Sequence, residues 1–231
     1  MQVPFSTLVT SSVGKKIMTG LTGLGLCLFI LSHLLGNFNL FLGPDAFNQY
    51  TKTLESFGKA LYVIEALLVL AFVMHAVVGI SVWQSKRRAR PEAYHKTAYA
   101  GGNSKKSFAS LSMLYTGLII LLFLFIHIKS LKFGPNMAEG YVYTHTVTGE
   151  KMRDMYKLTV EHFKNPFYAF GYALVMLLLG VHLRHGFWSA FQSLGLTHQR
   201  LKPLIFSVGI LFASAMALGF FVLPLWIYFS R

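Results

Sequence analysis

The stretch ALYVIEALLVLAFVMHAVVGISVW, from Ala60 to Trp83, indicates the fold class of this protein. Its 24 residues include one acidic side chain, Glu65, and one histidine, His75, and the others are uncharged and mostly apolar. An α-helix rises about 1.5 Å per residue, so about 20 residues cross the ~30 Å hydrocarbon core of a bilayer. A run of this length with so little charge predicts a transmembrane helix.

Four similar runs lie before and after this stretch, and the five together account for most of the chain. Pro166 and Pro203 stand where a helix would begin, the position that tolerates a missing N–H. The sequence predicts one all-α transmembrane domain over residues 1–231, with the first four helices in an up-down bundle. The predicted spans cover about residues 15–42, 60–85, 108–131, 166–192 and 203–229.

The composition also favours a membrane protein. Of the 231 residues 54% are hydrophobic and 13% are charged, whereas a soluble domain carries about a quarter of its residues as charge. The single cysteine, Cys27, excludes an intrachain disulfide, covalent haem attachment through CxxCH and an iron–sulfur cluster held by this chain alone. Neither a GxGxxG loop nor a P-loop motif is present, so no nucleotide site of these kinds is expected.

The net charge of +13 is divided unevenly between the two sides of the predicted membrane domain. The side with the N-terminus and the loops after the second and fourth spans holds eleven basic residues and one acid, Glu92. The other side holds nine basic and six acidic residues. The positive-inside rule therefore predicts a cytoplasmic N-terminus and an external C-terminus. The segment KRRARPEAYHK, Lys86 to Lys96, is also a candidate surface for a cytoplasmic partner or anionic membrane lipid, and no nucleic-acid partner is expected.

Four of the five spans carry one histidine each near the middle, where ionisable residues are rare and usually functional. They are His33, His75, His127 and His182. Helical rise from the flanking charges and prolines puts two of them toward the outer leaflet and two in the inner half. In an up-down bundle the first helix faces the third and the second faces the fourth across the diagonal. Depth and topology thus predict an outer pair, His33 with His127, and an inner pair, His75 with His182.

Two histidines at each of two depths form a haem ligand pattern, whereas zinc or copper takes three or four ligands at one level. The sequence therefore predicts two b-type haems, whose rings fit the ~12–14 Å diagonal between helices. Gly36 and Gly79, each close after a histidine, are assigned to clearance for these rings. A haem-free transporter whose histidines line a polar pathway is an alternative from another class, although the chain shows no inverted repeat.

Several segments resemble the cytochrome b membrane subunits of succinate dehydrogenase and fumarate reductase, in the single-chain, five-helix, two-haem branch. They are SSVGKKIMTGLTG (Ser11–Gly23), SHLLGNFNLFLGPDAFNQY (Ser32–Tyr50), MHAVVGISVWQSKRRARPEAY (Met74–Tyr94) and LGVHLRHGFWSAFQSLG (Leu179–Gly195). The matching positions imply that His75 and His182 ligate the iron of the inner haem, and His33 and His127 that of the outer haem. Cytochrome b subunits of other membrane dehydrogenases share bis-histidine ligation and stay open as a second alternative.

The resemblance implies the membrane anchor of a succinate:quinone oxidoreductase in a bacterial cytoplasmic membrane. The succinate or fumarate site is expected on a flavoprotein subunit, which docks with an iron–sulfur subunit on the cytoplasmic face. Electrons are expected to pass to the inner haem, the outer haem and a quinone, which in this branch is usually menaquinone. Some fumarate-reducing relatives carry a glutamate two residues before the fourth-helix ligand. Gly180 stands there in this chain, so that proton route is not expected.

Further candidates surround these ligands. Glu65 is a candidate proton carrier for the quinone, with a glutamate snorkelling to water as the alternative. Asn37 is a candidate donor to a quinone carbonyl, with a helix-end cap or an interhelical hydrogen bond as the alternative. Ser12, Lys15 and Arg184 are candidate donors to haem propionates, with plain interfacial anchoring as the alternative.

The remaining predictions concern the loops. Residues 132–165, between the third and fourth spans, are expected to form an ordered outer cap. Four histidines are expected to be surface residues in loops: His95, His145, His162 and His198.

Overall fold

The computed structural model of this chain describes residues 11–89 and 108–231. Within these residues the α-helices are α1 (Ser12–Asn37), α2 (Asn39–Leu42), α3 (Pro44–Glu55), α4 (Lys59–Arg88), α5 (Phe108–His127), α6 (Met155–Lys164), α7 (Pro166–Ser193) and α8 (Lys202–Ser230). A π-helical turn, Ile128–Lys132, continues α5, and a 3-10 turn, Met137–Glu139, precedes strands β1 (Val142–Thr144) and β2 (Lys151–Arg153). Residues 90–96 of the predicted partner surface, including His95, lie outside the described residues.

Among the described residues, five helical segments are long and apolar enough to cross a membrane: α1 with α2, α4, α5 with its π-helical turn, α7, and α8. Their bounds agree with the predicted spans to within a few residues. Large apolar side chains such as Leu28, Leu67 and Leu122 are exposed along these helices. A protein dissolved in water rarely exposes so extensive an apolar surface. The prediction of a helical chain with five membrane-length segments is confirmed.

Local caps explain where two of the long helices, α1 and α7, begin. The side chain of Ser11 accepts a hydrogen bond from the Gly14 N–H at 3.0 Å and caps α1. Asn165 caps α7 in the same way, accepting from the Phe167 N–H at 2.9 Å, and Pro166 follows it in the first turn. Proline is preorganised for this position and has no N–H to leave unpaired.

The four histidine-bearing helices form a bundle in which α1 lies beside α4 and α7, while α5 lies beside α7 and, over a smaller area, α4. Consequently α1 and α5 face each other across one diagonal, and α4 and α7 across the other. Helix α8 packs along α7 and also contacts α1. The end of the bundle where α1 begins and α4 ends is called the inner end below, and the opposite end the outer end.

The residues between α5 and α7 form an ordered cap over the outer end, as predicted. Strands β1 and β2 pair antiparallel, with Tyr143 opposite Met152. The Arg153 guanidinium donates hydrogen bonds of 2.9–3.1 Å to four carbonyl groups in residues 131–135. The fully buried Asn48 of α3 donates to Asp154 at 3.0 Å and accepts from the Tyr156 N–H at 2.9 Å. These bonds join the cap to α3 and to the end of α5.

Candidate functional site

The four histidines of the long helices meet in two pairs across the diagonals of the bundle. The ring centroids of His33 and His127 are 5.9 Å apart, with an interplanar angle of 87°. Those of His75 and His182 are 6.3 Å apart, with an angle of 66°. Two metal–nitrogen bonds of about 2 Å, with two ring radii, separate the centroids of imidazoles on one metal ion by roughly 6 Å. Both spacings would therefore suit two histidines that bind one metal ion, although haem ligation itself stays a prediction.

The two pairs lie at different heights along the bundle. On α1, Thr22 contacts the ring of His75 of the inner pair, with 3.4 Å between Oγ1 and Nδ1, and His33 follows Thr22 by 11 residues. On α5, Thr116 contacts the other inner ring at 3.1 Å, and His127 follows Thr116 by 11 residues. Eleven residues of helix rise about 16 Å. Two separate helices thus give the same axial spacing between the inner and outer pairs.

Hydrogen bonds assign one tautomer to each ring of the inner pair. The Nδ1 of His75 lies 3.2 Å from the carbonyl oxygen of Thr19, which can only accept, so Nδ1 carries the proton. The Nδ1 of His182 lies 3.1 Å from the hydroxyl oxygen of Thr116. That hydroxyl donates to the Ser112 carbonyl at 3.1 Å, so it accepts from His182. Both Nε2 atoms keep a lone pair, the arrangement typical of histidines that ligate a metal ion.

Two glycines on neighbouring helices make room for the inner rings. A Cβ atom at Gly23 of α1 would lie 3.1 Å from Cε1 of His75. A Cβ atom at Gly117 of α5 would lie 3.4 Å from Cε1 of His182. Because glycine is common in membrane helices for several reasons, no sequence signal singles out these two.

The clearance predicted at Gly36 is wrong. A side chain there would overlap the hydroxyl of Tyr50, so Gly36 admits this α3 tyrosine and not a cofactor ring. A Cβ atom at Gly79 would meet no described atom within 4 Å, and its role in clearance stays a prediction.

Aromatic packing surrounds the outer pair. Phe29 stacks on His33 at 5.4 Å, and Phe220 of α8 lies 5.8 Å from the same ring. Phe123 stacks on His127 at 5.5 Å. The Nδ1 of His127 is buried and has no hydrogen-bond partner among the described residues. Leaving a buried polar atom unpaired costs about 1–3 kcal/mol, so this nitrogen is unlike an ordinary structural histidine in a packed core.

His162 is not the surface residue that the sequence predicts. Helix α6 packs its ring 3.9 Å from Tyr168 and 5.4 Å from Tyr172, and Tyr172 in turn lies 6.0 Å from His127. Within the described residues its buried Nε2 has no hydrogen-bond partner, and burial lowers the pKa of His162. By contrast, His198 is exposed, as expected. His145, half-buried in the turn between β1 and β2, accepts hydrogen bonds from two turn N–H groups.

The two quinone-site candidates have partners of their own. Glu65 forms an ion pair with Lys132 at the outer end. The Asn37 amide donates to the carbonyl oxygen of His33 at 2.7 Å. This bond at the end of α1 matches the helix-cap alternative for Asn37. It also connects the Asn37 side chain to the backbone of His33, a predicted haem ligand.

The propionate candidates separate into two places. Ser12 and Lys15 line a cavity of about 390 Å³ at the inner end, together with Lys16, Val82, Ser85 and Lys86. Val82 and Lys86 follow His75 by seven and eleven residues, two and three helical turns, so the cavity continues the face of α4 that carries His75. Arg184 lies elsewhere, in a groove between α7 and α8.

No group of three or more His, Cys, Asp or Glu side chains in the described parts of the chain could hold a metal ion. The two histidine pairs are smaller donor sets than these groups. Comparisons with protein-family models, curated proteins and solved structures find no match to this chain.

Proposed function

We propose that this chain is a multi-pass membrane cytochrome b that binds two haems b, one between His75 and His182 and one between His33 and His127. The observation that carries the proposal is that the Nδ1 atoms of both inner rings lie within hydrogen-bond distance of threonine oxygen atoms. Both Nδ1 atoms donate hydrogen bonds, so the Nε2 lone pairs of two rings 6.3 Å apart are available to one metal ion. A transporter pathway does not require this arrangement, because a proton-conducting histidine exchanges its protons.

Haem b, when bound, supplies reversible one-electron transfer at each pair. The residues of the chain orient the ligands and limit access by water. Thr19 and Thr116 fix the rotation of the inner imidazoles, while Phe29 and Phe123 pack against the outer ones.

The lysine-lined cavity at the inner end supports a role in holding haem propionates. Ser12, Lys15, Lys16 and Lys86 line this cavity, which lies on the His75 face of α4. A carboxylate that enters it would gain charge-assisted hydrogen bonds from lysine side chains. We assign the inner propionates to these residues and not to Arg184, which lines a different groove.

We further propose that the chain anchors a succinate:quinone oxidoreductase and passes electrons between an iron–sulfur subunit and a membrane quinone, with menaquinone the expected species. The resemblance of Ser11–Gly23, Ser32–Tyr50, Met74–Tyr94 and Leu179–Gly195 to cytochrome b subunits supports this assignment. The excess of basic residues at the inner end supports a cytoplasmic location for that end and for the flavoprotein and iron–sulfur subunits. At the outer end, Glu65 would have to leave Lys132 to exchange a quinone proton.

The haem proposal is tested by a pyridine haemochrome assay and a dithionite-reduced minus oxidised spectrum of the purified protein. We expect two haems b per chain, and one per chain in His75→Ala and in His182→Ala. His198→Ala, which changes an exposed histidine, should keep both and serves as the control. A folded wild-type protein without haem would sink the proposal.

The enzyme assignment needs a separate test on the complex purified from native membranes. Reduction of the haem signal by succinate, with a flavoprotein and an iron–sulfur subunit present in equal amounts, is the expected result. Co-purification with a formate dehydrogenase or hydrogenase would overturn this assignment and leave the haem proposal standing.

A further inference from the structure

A groove between α7 and α8 contains Arg184, the one lysine or arginine in the interior of a long helix among the residues that the structure describes. The groove has a volume of about 210 Å³ and is lined by Leu177, Gly180, Val181, Arg184, Ile210, Ala213 and Ser214. Its walls are apolar apart from Arg184 and Ser214. We refer to it as the α7/α8 groove.

Small residues bring the two helices close together beside this groove. A Cβ atom at Gly180 would lie 2.7 Å from Cβ of Ala217 and 3.5 Å from the carbonyl oxygen of Ala213. Contacts between glycine and alanine let the backbones of two membrane helices approach each other closely. The larger side chains of Leu177 and Ile210 then stand on either side of a narrow channel that opens to the surroundings of the bundle.

Among the residues that the structure describes, none neutralises Arg184. It is exposed, and it makes no hydrogen bond or ion pair with any described residue. The seven acidic residues that the structure describes lie toward the outer end, Glu65 with Lys132 among them. Charged side chains in membrane segments are normally paired or reach the interface. The described residues therefore leave the guanidinium of Arg184 available to an anionic ligand.

Residues one helical turn closer to the inner end place this groove at the edge of the membrane. Trp188 follows Arg184 by four residues, about 6 Å along α7. The ammonium group of Lys202 lies 5.9 Å from the Trp188 ring centroid, and Phe206 packs edge-on against the same ring. Tryptophan and lysine mark the interfacial region of membrane proteins, where lipid phosphates lie. The flexible side chain of Arg184 can extend toward this level.

We propose that the α7/α8 groove binds an anionic glycerophospholipid. The guanidinium of Arg184 donates two hydrogen bonds to the phosphate, a geometry that arginine provides and lysine does not. Lys202 adds a second positive charge, and an acyl chain lies along Leu177 and Val181. The proposal requires membrane insertion but is independent of haem, because His182, two residues before Arg184, faces α4 and α5 instead.

Native mass spectrometry of the purified holoprotein, with its detergent exchanged to remove loosely held lipid, provides the test. Phosphatidylglycerol and phosphatidylcholine of identical acyl chains are titrated separately. We expect one phosphatidylglycerol to bind at least about fivefold more tightly than phosphatidylcholine, since one basic residue near the surface contributes about 1 kcal/mol toward an anionic lipid. Arg184→Gln should remove most of this preference and leave the contribution of Lys202, and Arg200→Gln, which changes an exposed arginine outside the groove, should preserve it.

Ser214→Leu provides a second variant, which narrows the groove while the charge of Arg184 is kept. It should weaken binding of both lipids, and Arg184→Lys should restore part of the phosphatidylglycerol preference. Equal affinity of wild-type protein for the two lipids would overturn the proposal. So would displacement of phosphatidylglycerol by millimolar inorganic phosphate or by a menaquinone analogue, because either result would identify a different ligand.

Discussion

The inner and outer histidine pairs have nearly the same ring spacing but are held in different ways. Hydrogen bonds from Nδ1 to Thr19 and Thr116 hold the inner rings. Phenylalanine stacking holds the outer rings, and the Nδ1 of His127 has no hydrogen-bond partner among the described residues. Hydrogen bonds set both rotation and tautomer of an imidazole, whereas stacking sets only its plane. The same distance between two histidine rings can therefore be held either by hydrogen bonds to Nδ1 or by aromatic stacking.

The two pairs also differ in what lies beyond them. The outer pair is linked to the cap, because Tyr172 lies between the His127 ring and the His162 ring. Beyond the inner pair, two helical turns after His75 on α4, the lysine-lined cavity begins at Val82. Single polar substitutions should therefore affect the inner pair most, and loosening of the cap should affect the outer pair most.

The largest effect is expected from Thr116→Val, which removes the acceptor for His182 Nδ1 without a change of side-chain shape. Loss of such a hydrogen bond typically lowers metal affinity by about 10–100-fold. We expect this loss at the inner site alone, measured as haem transfer to a competing apoprotein. Thr19→Val is the matched control, because Thr19 contacts His75 through its backbone carbonyl and its hydroxyl donates to Lys15. Equal losses in the two variants would contradict the assigned tautomers.

Asn48→Ala should act on the outer pair instead. It leaves the Tyr156 N–H and the Asp154 carboxylate without their α3 partner, at a cost of about 1–3 kcal/mol. We expect faster amide hydrogen exchange in α6 and earlier loss of the outer haem on heating. Gln49→Ala changes the exposed neighbour and should leave both unchanged. If the inner haem were lost first, the link between cap and outer pair would be disproved.

Gly23→Ala should have a smaller effect, again at the inner pair. The new Cβ atom would lie 3.1 Å from Cε1 of His75, so the ring must shift by a few tenths of an ångström. Overpacking of this kind costs about 1 kcal/mol. Gly25→Ala on the same helix adds a methyl group that meets no described atom within 4 Å, and it is the control. Haem affinity lowered to the same degree in both variants would point to a general effect on α1.

The smallest effect is expected at acid pH, where the cap should lose the stability that the hydrogen bonds to Asp45 contribute. Hydrogen bonds from Thr146 and from the Tyr143 hydroxyl lower the pKa of Asp45 below its ordinary value of 3.8. The stability that these bonds contribute is therefore complete above that ordinary value and is lost as the pH falls through the lowered pKa. Hydrogen exchange of the β1–β2 hairpin should increase only in this acid range, with the inner haem unaffected. Asp45→Asn should remove the transition, and a transition of equal size in that variant would assign it to another group.

Much of the architecture could be predicted because it depends on local properties of the chain. The length of an apolar run and the helical rise between two residues do not depend on neighbouring helices. The five long helices therefore agree with the predicted spans, and the histidines lie at the two expected heights. The Asn37 hydrogen bond, to a residue four positions earlier, was among the local alternatives as well.

Contacts between distant residues could not be predicted in this way. Asn48 and Asp154 are 106 positions apart, and the partners of the inner rings, Thr19 and Thr116, lie on neighbouring helices. Long helices that are apolar around most of their circumference give little information about rotation about their own axes. The misassignment of Gly36 has this origin, because the sequence shows a glycine near a histidine but not the Tyr50 side chain that occupies the space.

The sequence by itself determined that this chain has five membrane-length helices, four of them with a central histidine, and that one helix also carries an arginine two residues after its histidine. Only the tertiary structure decided which way each of these side chains faces. Two residues of α-helix correspond to a rotation of about 200°, so His182 and Arg184 must point to opposite sides of α7. Packing of α7 between α5 and α8 then directs His182 toward His75 and directs Arg184 into the α7/α8 groove.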